Sequence, residues 1–262
     1  MRSDMRLFLI GGLSSYRAFF NWLNPWMAIP IFVIAPVFQV FLFVLIGRNA
    51  GVGDDQFYVI GNALNQATIP CLFAMAFTIE GERWSQTLSV VLVSPARRLP
   101  LFLGRAMPVI LNGWGVAIVV LLVGTWVFGV EIAVSQWPAL LVSVLATSMS
   151  VTGLGFAAGA VCLRVRQGAV IANVLLCLLL VFTGVNVALD DMSEWMASVG
   201  RSLPMTHGIE ASRKIAQGSS LADVSGLLAI EVGIGAVFMA IGMVLLRWFE
   251  QQSRRLATLE RV

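Results

Sequence analysis

AMPVILNGWGVAIVVLLVGTWVFGV, residues 106–130, runs for 25 residues without one charged side chain. Crossing the ~30 Å hydrocarbon core of a bilayer takes ~20 consecutive, mostly apolar residues. This stretch is therefore read as a transmembrane helix. Five more runs have the same character: Pro25–Ile46, Phe57–Ile79, Pro138–Leu163, Gly168–Leu189 and Val224–Leu246. A membrane β-barrel would instead alternate apolar and polar residues in ~10-residue segments. The expected fold class is an all-α polytopic membrane protein with six transmembrane helices. To these are added an N-terminal amphipathic interfacial helix and re-entrant outer helices before the last span.

Composition supports this reading. Of 262 residues, 58% are hydrophobic and 12% charged, and mean hydropathy is +0.88. A soluble domain cannot bury so much apolar surface. The whole chain, 1–262, reads as a single transmembrane domain. Its longest polar gaps are residues 80–105 and 190–223. The first long apolar run starts near residue 25 and is too long for the core of a cleavable signal. Cys71, Cys162 and Cys177 all fall in expected spans, which suits small packing residues better than disulfides or metal ligands. Arginine outnumbers lysine sixteen to one, a base-composition bias of the source.

Cytoplasmic segments of membrane proteins collect Lys and Arg. One side of the chain holds thirteen: Arg2, Arg6, Arg17, Arg83, Arg97, Arg98, Arg105, Arg164, Arg166, Arg247, Arg254, Arg255 and Arg261. The other holds four: Arg48, Arg201, Arg213 and Lys214. The first side, with both termini, is expected in the cytoplasm. The +3 net charge then reflects topology, and nucleic acid is not an expected partner.

Polar residues within this apolar chain mark places to examine. Met5, Phe8, Leu9, Leu13, Tyr16, Phe19, Phe20 and Leu23 recur at helical spacing opposite Arg6, Ser14, Arg17 and Asn21. That pattern predicts an interfacial helix over 5–23 lying on membrane lipid. Asn62, Asn65 and Gln66 share about a third of the circumference of span two. They serve either as helix–helix contacts or as the lining of a polar path. Gly155 and Gly159 of span four allow close helix approach. Thr183 and Asn186 lie at the outer end of span five, with Asn173 deeper. The outer segment from Asp190 to Asp223 is too apolar for a plain loop and predicts short helices broken near Pro204. Glu231, about two turns into span six, is an intramembrane carboxylate. It either faces substrate or makes a structural ion pair or hydrogen bond, with Arg201, Arg213 and Lys214 as candidate ion-pair partners.

Catalytic signatures are missing. No glycine-rich phosphate loop surrounds Lys214, and there is no H-E-x-x-H pattern and no Cys/His cluster. Asp190, Asp191 and Glu194 form a single acidic cluster, and His207 stands alone. No catalytic residue, metal or cofactor is expected in this chain.

The remaining polar region is residues 80–105. Glu82 to Val93 can form a short helix, with Glu80 and Glu82 suiting its N-terminus. Ser94-Pro95 would end it. The segment resembles the signature region of type-2 ABC exporter permeases. The matching residues are Glu82-Arg83, Thr87-Leu88, Leu92, Ser94-Pro95, Arg97-Arg98 and Leu103-Gly104-Arg105. Gln86 stands where that family often has glycine. Trp195, Leu203-Pro204, Thr206, His207 and Arg213 resemble the family's late outer segment, without the proline that often precedes the tryptophan. Drug- and antibiotic-resistance members are the nearest in size.

The resemblance implies a permease without its own ATP site. It would pair with a separate ABC ATPase subunit, two copies per complex, which binds ATP and Mg. A second permease half, identical or different, completes the transporter. Coupling to the ATPase would fall on Glu82, Arg83, Trp84, Thr87, Leu88, Ser94, Pro95, Arg97 and Arg98. The route would run past Asn62, Asn65, Gln66, Thr183 and Asn186. The expected cargo is an amphipathic small molecule moved out of a bacterial cell across its inner membrane. A permease for lipid-linked glycans is one alternative. An ATP-independent secondary transporter centred on Glu231 is another.

Overall fold

The computed structural model describes residues 26, 29–51, 54–84, 98–162, 164–165 and 168–256. Among these residues every regular element is helical. A π-helical turn (Pro30–Ile34) leads into α1 (Ala35–Ala50). Then follow α2 (Asp55–Trp84), α3 (Arg98–Phe128), α4 (Trp137–Cys162) and α5 (Gly168–Phe182). Two short helices, α6 (Glu194–Ser202) and α7 (Thr206–Ala216), precede the long α8 (Ser225–Leu256). Among the described residues four stretches are long and apolar enough to cross a membrane: Asp55–Phe77, Leu103–Phe128, Val134–Cys162 and Ser225–Phe249. α1 and α5 are apolar but shorter. The protein is a multi-pass membrane protein.

Local chemistry explains the ends and interruptions. α1 stops at Gly51, whose φ of 65° is a left-handed C-cap that glycine adopts without strain. Pro70 and Pro108 sit inside α2 and α3. Each removes one backbone donor, a defect that membrane helices tolerate when neighbours re-satisfy the freed carbonyl. α5 ends at Phe182, seven residues short of the expected Leu189. Gly184 has φ of 79°, and residues 183–187 form a chain of bends.

The segment between α2 and α3 departs from expectation. Glu82, Arg83 and Trp84 do not start a separate helix; they are the last residues of α2. No proline separates Ile79 from Trp84, and extending an existing helix costs less than nucleating a new one. Arg98 likewise opens α3, and Arg105 stands two turns into it. Pro100 is accepted there because the first amides of a helix have no intrahelical acceptor to lose. Thr87, Leu88, Ser94, Pro95 and Arg97, and the interfacial helix expected over 5–23, lie outside the described residues.

α4 is the hub of the bundle, packed between α2 and α8. Glycines set both contacts. A Cβ on Gly155 would stand 2.6 Å from the Cys71 carbonyl oxygen of α2. A Cβ on Gly153 would collide with the Gly235 carbonyl of α8. Only the absence of side chains lets these backbones approach. α2 is closed off on its other side by α3, where Gly113 meets Cys71 and Ala67. The resulting core contains Leu64, Leu72, Met75, Leu121, Leu140 and Phe156, all fully buried. α8 turns Ile230, Val237, Ile241 and Val244 outward, as an apolar face against lipid requires.

Candidate functional site

The polar face of α2 is buried inside the bundle. Asn62, Asn65 and Gln66 are each at most 2% exposed. Asn62 Nδ2 donates to the Tyr58 carbonyl at 3.0 Å and to Asn186 Oδ1 at 2.9 Å. Asn186 lies in the bends beyond α5, so two of the expected path residues meet directly. Gln66 turns the other way and donates to Gln39 Oε1 of α1 at 2.7 Å. Thr183 is buried and donates to its own helix, at Leu179 O, 2.5 Å away. Asn173 is exposed and donates to Ala169 O at 2.8 Å. Two acceptors, Asn62 Oδ1 and Asn65 Oδ1, are buried without a hydrogen-bond partner. The face thus combines amides shared with two neighbours and oxygens with spare capacity.

Gln39 was not singled out in the sequence, although it is the one polar side chain between Pro36 and Ile46. That interruption was the available signal. The role of Arg213 left no such trace. Its Nη1 donates to Gly184 O at 2.8 Å, and its Nη2 donates to Val185 O at 2.8 Å and to Phe57 O at 3.1 Å. The guanidinium also lies 3.4 Å from the centroid of the Phe57 ring. One cation therefore gathers the carbonyls freed where α5 breaks and ties them to the start of α2. Burial pulls its pKa down to about 9, which leaves it protonated at neutral pH. The nearby Lys214 pairs with Glu210 at 2.7 Å.

Glu231 forms no ion pair with Arg201, Arg213 or Lys214. It is wholly buried, and its carboxylate turns to α7. Oε1 accepts the Met205 N–H at 2.6 Å and Oε2 accepts the Gly208 N–H at 3.1 Å. α7 is further held to α4, where Ser143 and Ser212 hydroxyls meet at 2.9 Å. At its other end Gln56 Nε2 donates to the Ala216 carbonyl at 3.2 Å. Of the expected coupling residues, Glu82, Arg83 and Trp84 close α2 and Arg98 opens α3. They flank the segment 85–97 from both sides.

Residues 13–216 match the family described as ABC-2 type transporter. The chain belongs to that family. The match runs to the end of α7 and leaves α8 beyond it. Two curated relatives are each described as a probable multidrug ABC transporter permease, YbhR, from Escherichia coli strain K12 and from Escherichia coli O157:H7. Each is 22% identical over 163 residues, or 62% of this chain and 44% of the relative. The aligned part thus spans less than half the length of the curated relatives it matches. The family match and the relatives support the recognition of the chain as a type-2 ABC permease.

Proposed function

We propose that this chain is the membrane permease of an ATP-driven exporter, moving an amphipathic small molecule out of the cell. The observation that carries the reading is ABC-2 family membership across most of the chain. The multidrug description of the relatives supports a drug-like cargo. One domain spans 1–262 and crosses a bacterial inner membrane six times, with both termini in the cytoplasm. α1 and α5 serve as spans one and five. With its π-helical turn, α1 reaches roughly 30 Å, the thickness of the hydrocarbon core. α6 and α7 form the re-entrant outer segment.

The route passes the α2 face and the end of α5. Asn62, Asn65, Gln66, Thr183 and Asn186 offer hydrogen bonds there without fixed charge, which suits a cargo with an apolar body and a few polar groups. The unpartnered oxygens of Asn62 and Asn65 supply acceptors for it. The chain binds no cofactor of its own. ATP and Mg belong to a separate ABC ATPase, two copies of which dock on two permease halves. Docking falls on Glu82, Arg83, Trp84, Thr87, Leu88, Ser94, Pro95, Arg97 and Arg98. The end of α2 and the start of α3 transmit ATPase motion into the bundle, because Glu82, Arg83 and Trp84 belong to α2 and Arg98 to α3.

Copurification in mild detergent with candidate ATPase subunits, followed by ATP hydrolysis and export assays, tests this. Replacing Glu82 or Arg83 by Ala is expected to leave the protein inserted while export falls at least about tenfold relative to ATP hydrolysis. Normal export by both variants would remove the docking assignment. Transport by the purified chain alone, without ATP, would overturn the exporter reading.

A further inference from the structure

We infer that Glu231 is a positioning residue: it locks α7 onto α8, and release of this lock is the step that frees the outer segment during transport. The inference rests on the permease reading above. The first amides of any helix lack an intrahelical acceptor, and a side chain just before the helix ordinarily supplies one. α7 has no such side chain. Its N-cap is Met205, and no side chain caps it locally. The cap comes instead from another helix, through the two oxygens of Glu231 on the N–H groups of Met205 and Gly208. An anion at this end also suits the helix dipole.

The junction is built to hold a conformation the backbone does not favour. Met205 has φ of 84°, the one positive φ outside glycine among the described residues. A non-glycine residue keeps such a φ only where its surroundings impose it. Glu231 holds Met205 by its N–H. Thr68 of α2 holds it by its sulfur, with Oγ1 at 3.1 Å from Sδ. Met205 itself is fully buried. Gly208 lets α7 press on Thr147 of α4, and Ser150 of α4 donates to the Glu231 carbonyl at 2.8 Å. Four helices therefore meet around Met205 and Glu231: the carboxylate of α8 bonds α7, α4 bonds the Glu231 backbone carbonyl, and α2 contacts the Met205 sulfur. Thr68 lies within a turn of Asn65 and Gln66, so movement of Met205 reaches the proposed route directly. A strained residue kept in place by a buried carboxyl group has two states available to it, held and released.

The test uses the full chain in lipid nanodiscs and two readouts. Amide hydrogen exchange across residues 203–209 is compared in wild type, Glu231→Gln and Thr68→Val. A glutamine keeps one acceptor oxygen and turns its NH2 group to the other amide, so exchange is expected to speed by about tenfold or more at one of the two, Met205 or Gly208, in Glu231→Gln. Thr68→Val, which leaves the carboxylate in place, gives a smaller increase confined to Met205. Exchange in the middle of α4 stays at its wild-type rate. The second readout is export of ethidium per ATP hydrolysed by the complex with the ATPase, expected to fall about tenfold in Glu231→Gln while hydrolysis continues. Unchanged exchange at both amides overturns the lock. Faster exchange with a wild-type export ratio reduces Glu231 to a stabilising residue and overturns its positioning role. If the wild-type chain recruits no ATPase, the exporter reading fails, and the exchange data still decide whether the lock exists.

Discussion

Arg213 shows how one side chain can close a break in a membrane protein. The chain unwinds after Phe182, and the carbonyls of Gly184 and Val185 lose helical partners where water is scarce. A guanidinium has five donors in a fixed fork and can serve several carbonyls at once. Arg213→Ala would take the donor from the buried Gly184 and Val185 carbonyls, while the Phe57 carbonyl keeps its place in α2, and is expected to cost about 3 kcal/mol. Arg213→Lys keeps the charge but loses the fork. Thermal unfolding in detergent, followed by tryptophan fluorescence, should rank wild type above Lys and Lys above Ala. Equal midpoints for all three would show that the network contributes nothing. At this scale the sequence was partly legible. Asn62, Asn65 and Gln66 announced themselves by three- and four-residue spacing in an apolar helix. The task of Arg213 did not, because its partners are backbone oxygens that become available only once the helix breaks.

Among the helices, the contact between α4 and α8 depends on bare backbone. Gly153→Ala would drive a methyl group into the Gly235 carbonyl, and overpacking of this kind costs about 1–3 kcal/mol. Gly233 of α8 has open space where its Cβ would stand. Gly233→Ala is therefore expected to be neutral or to stabilise by about 0.5–1 kcal/mol, since alanine is the better helix former. Melting temperatures of the two variants should move in opposite directions. A rise of the same size in both would mean that helix propensity, not the α4–α8 contact, governs this site. The sequence pointed to Gly155 and Gly159 as close-approach positions in span four. The structure sets Gly155 against α2, while Gly153 meets α8. A small-residue pattern signals that close approach is possible. Which neighbour fills it depends on how the helices are arranged.

For the whole molecule, the charge imbalance of thirteen against four predicts orientation. With native cysteines replaced, Cys introduced at exposed Arg164 should react with an impermeant thiol reagent only in inside-out vesicles. Cys introduced at exposed Ser220 should react only in intact cells. The reverse pattern would invert the topology and move the proposed docking segment to the wrong side of the membrane. ATPase coupling would then fail as well, because the ATPase works in the cytoplasm.

Membrane class and helical architecture were determined by the sequence itself. In lipid a spanning segment must satisfy its own backbone, so apolar length dictates helix. That rule is local and can be read residue by residue. It also marked the outer segment as structured and broken near Pro204, where α6 gives way to α7. The ends of α2 and α3 were less legible, because helix propagation competes with weak stop signals near the membrane surface. Only tertiary structure decided the partners of the buried polar groups. Glu231 was expected to face substrate or to make a structural ion pair or hydrogen bond; it makes hydrogen bonds, and their partner is the start of α7. An uncapped helix end 26 residues earlier in the chain becomes its neighbour only when α7 folds back against α4 and α8, and no local pattern records that proximity.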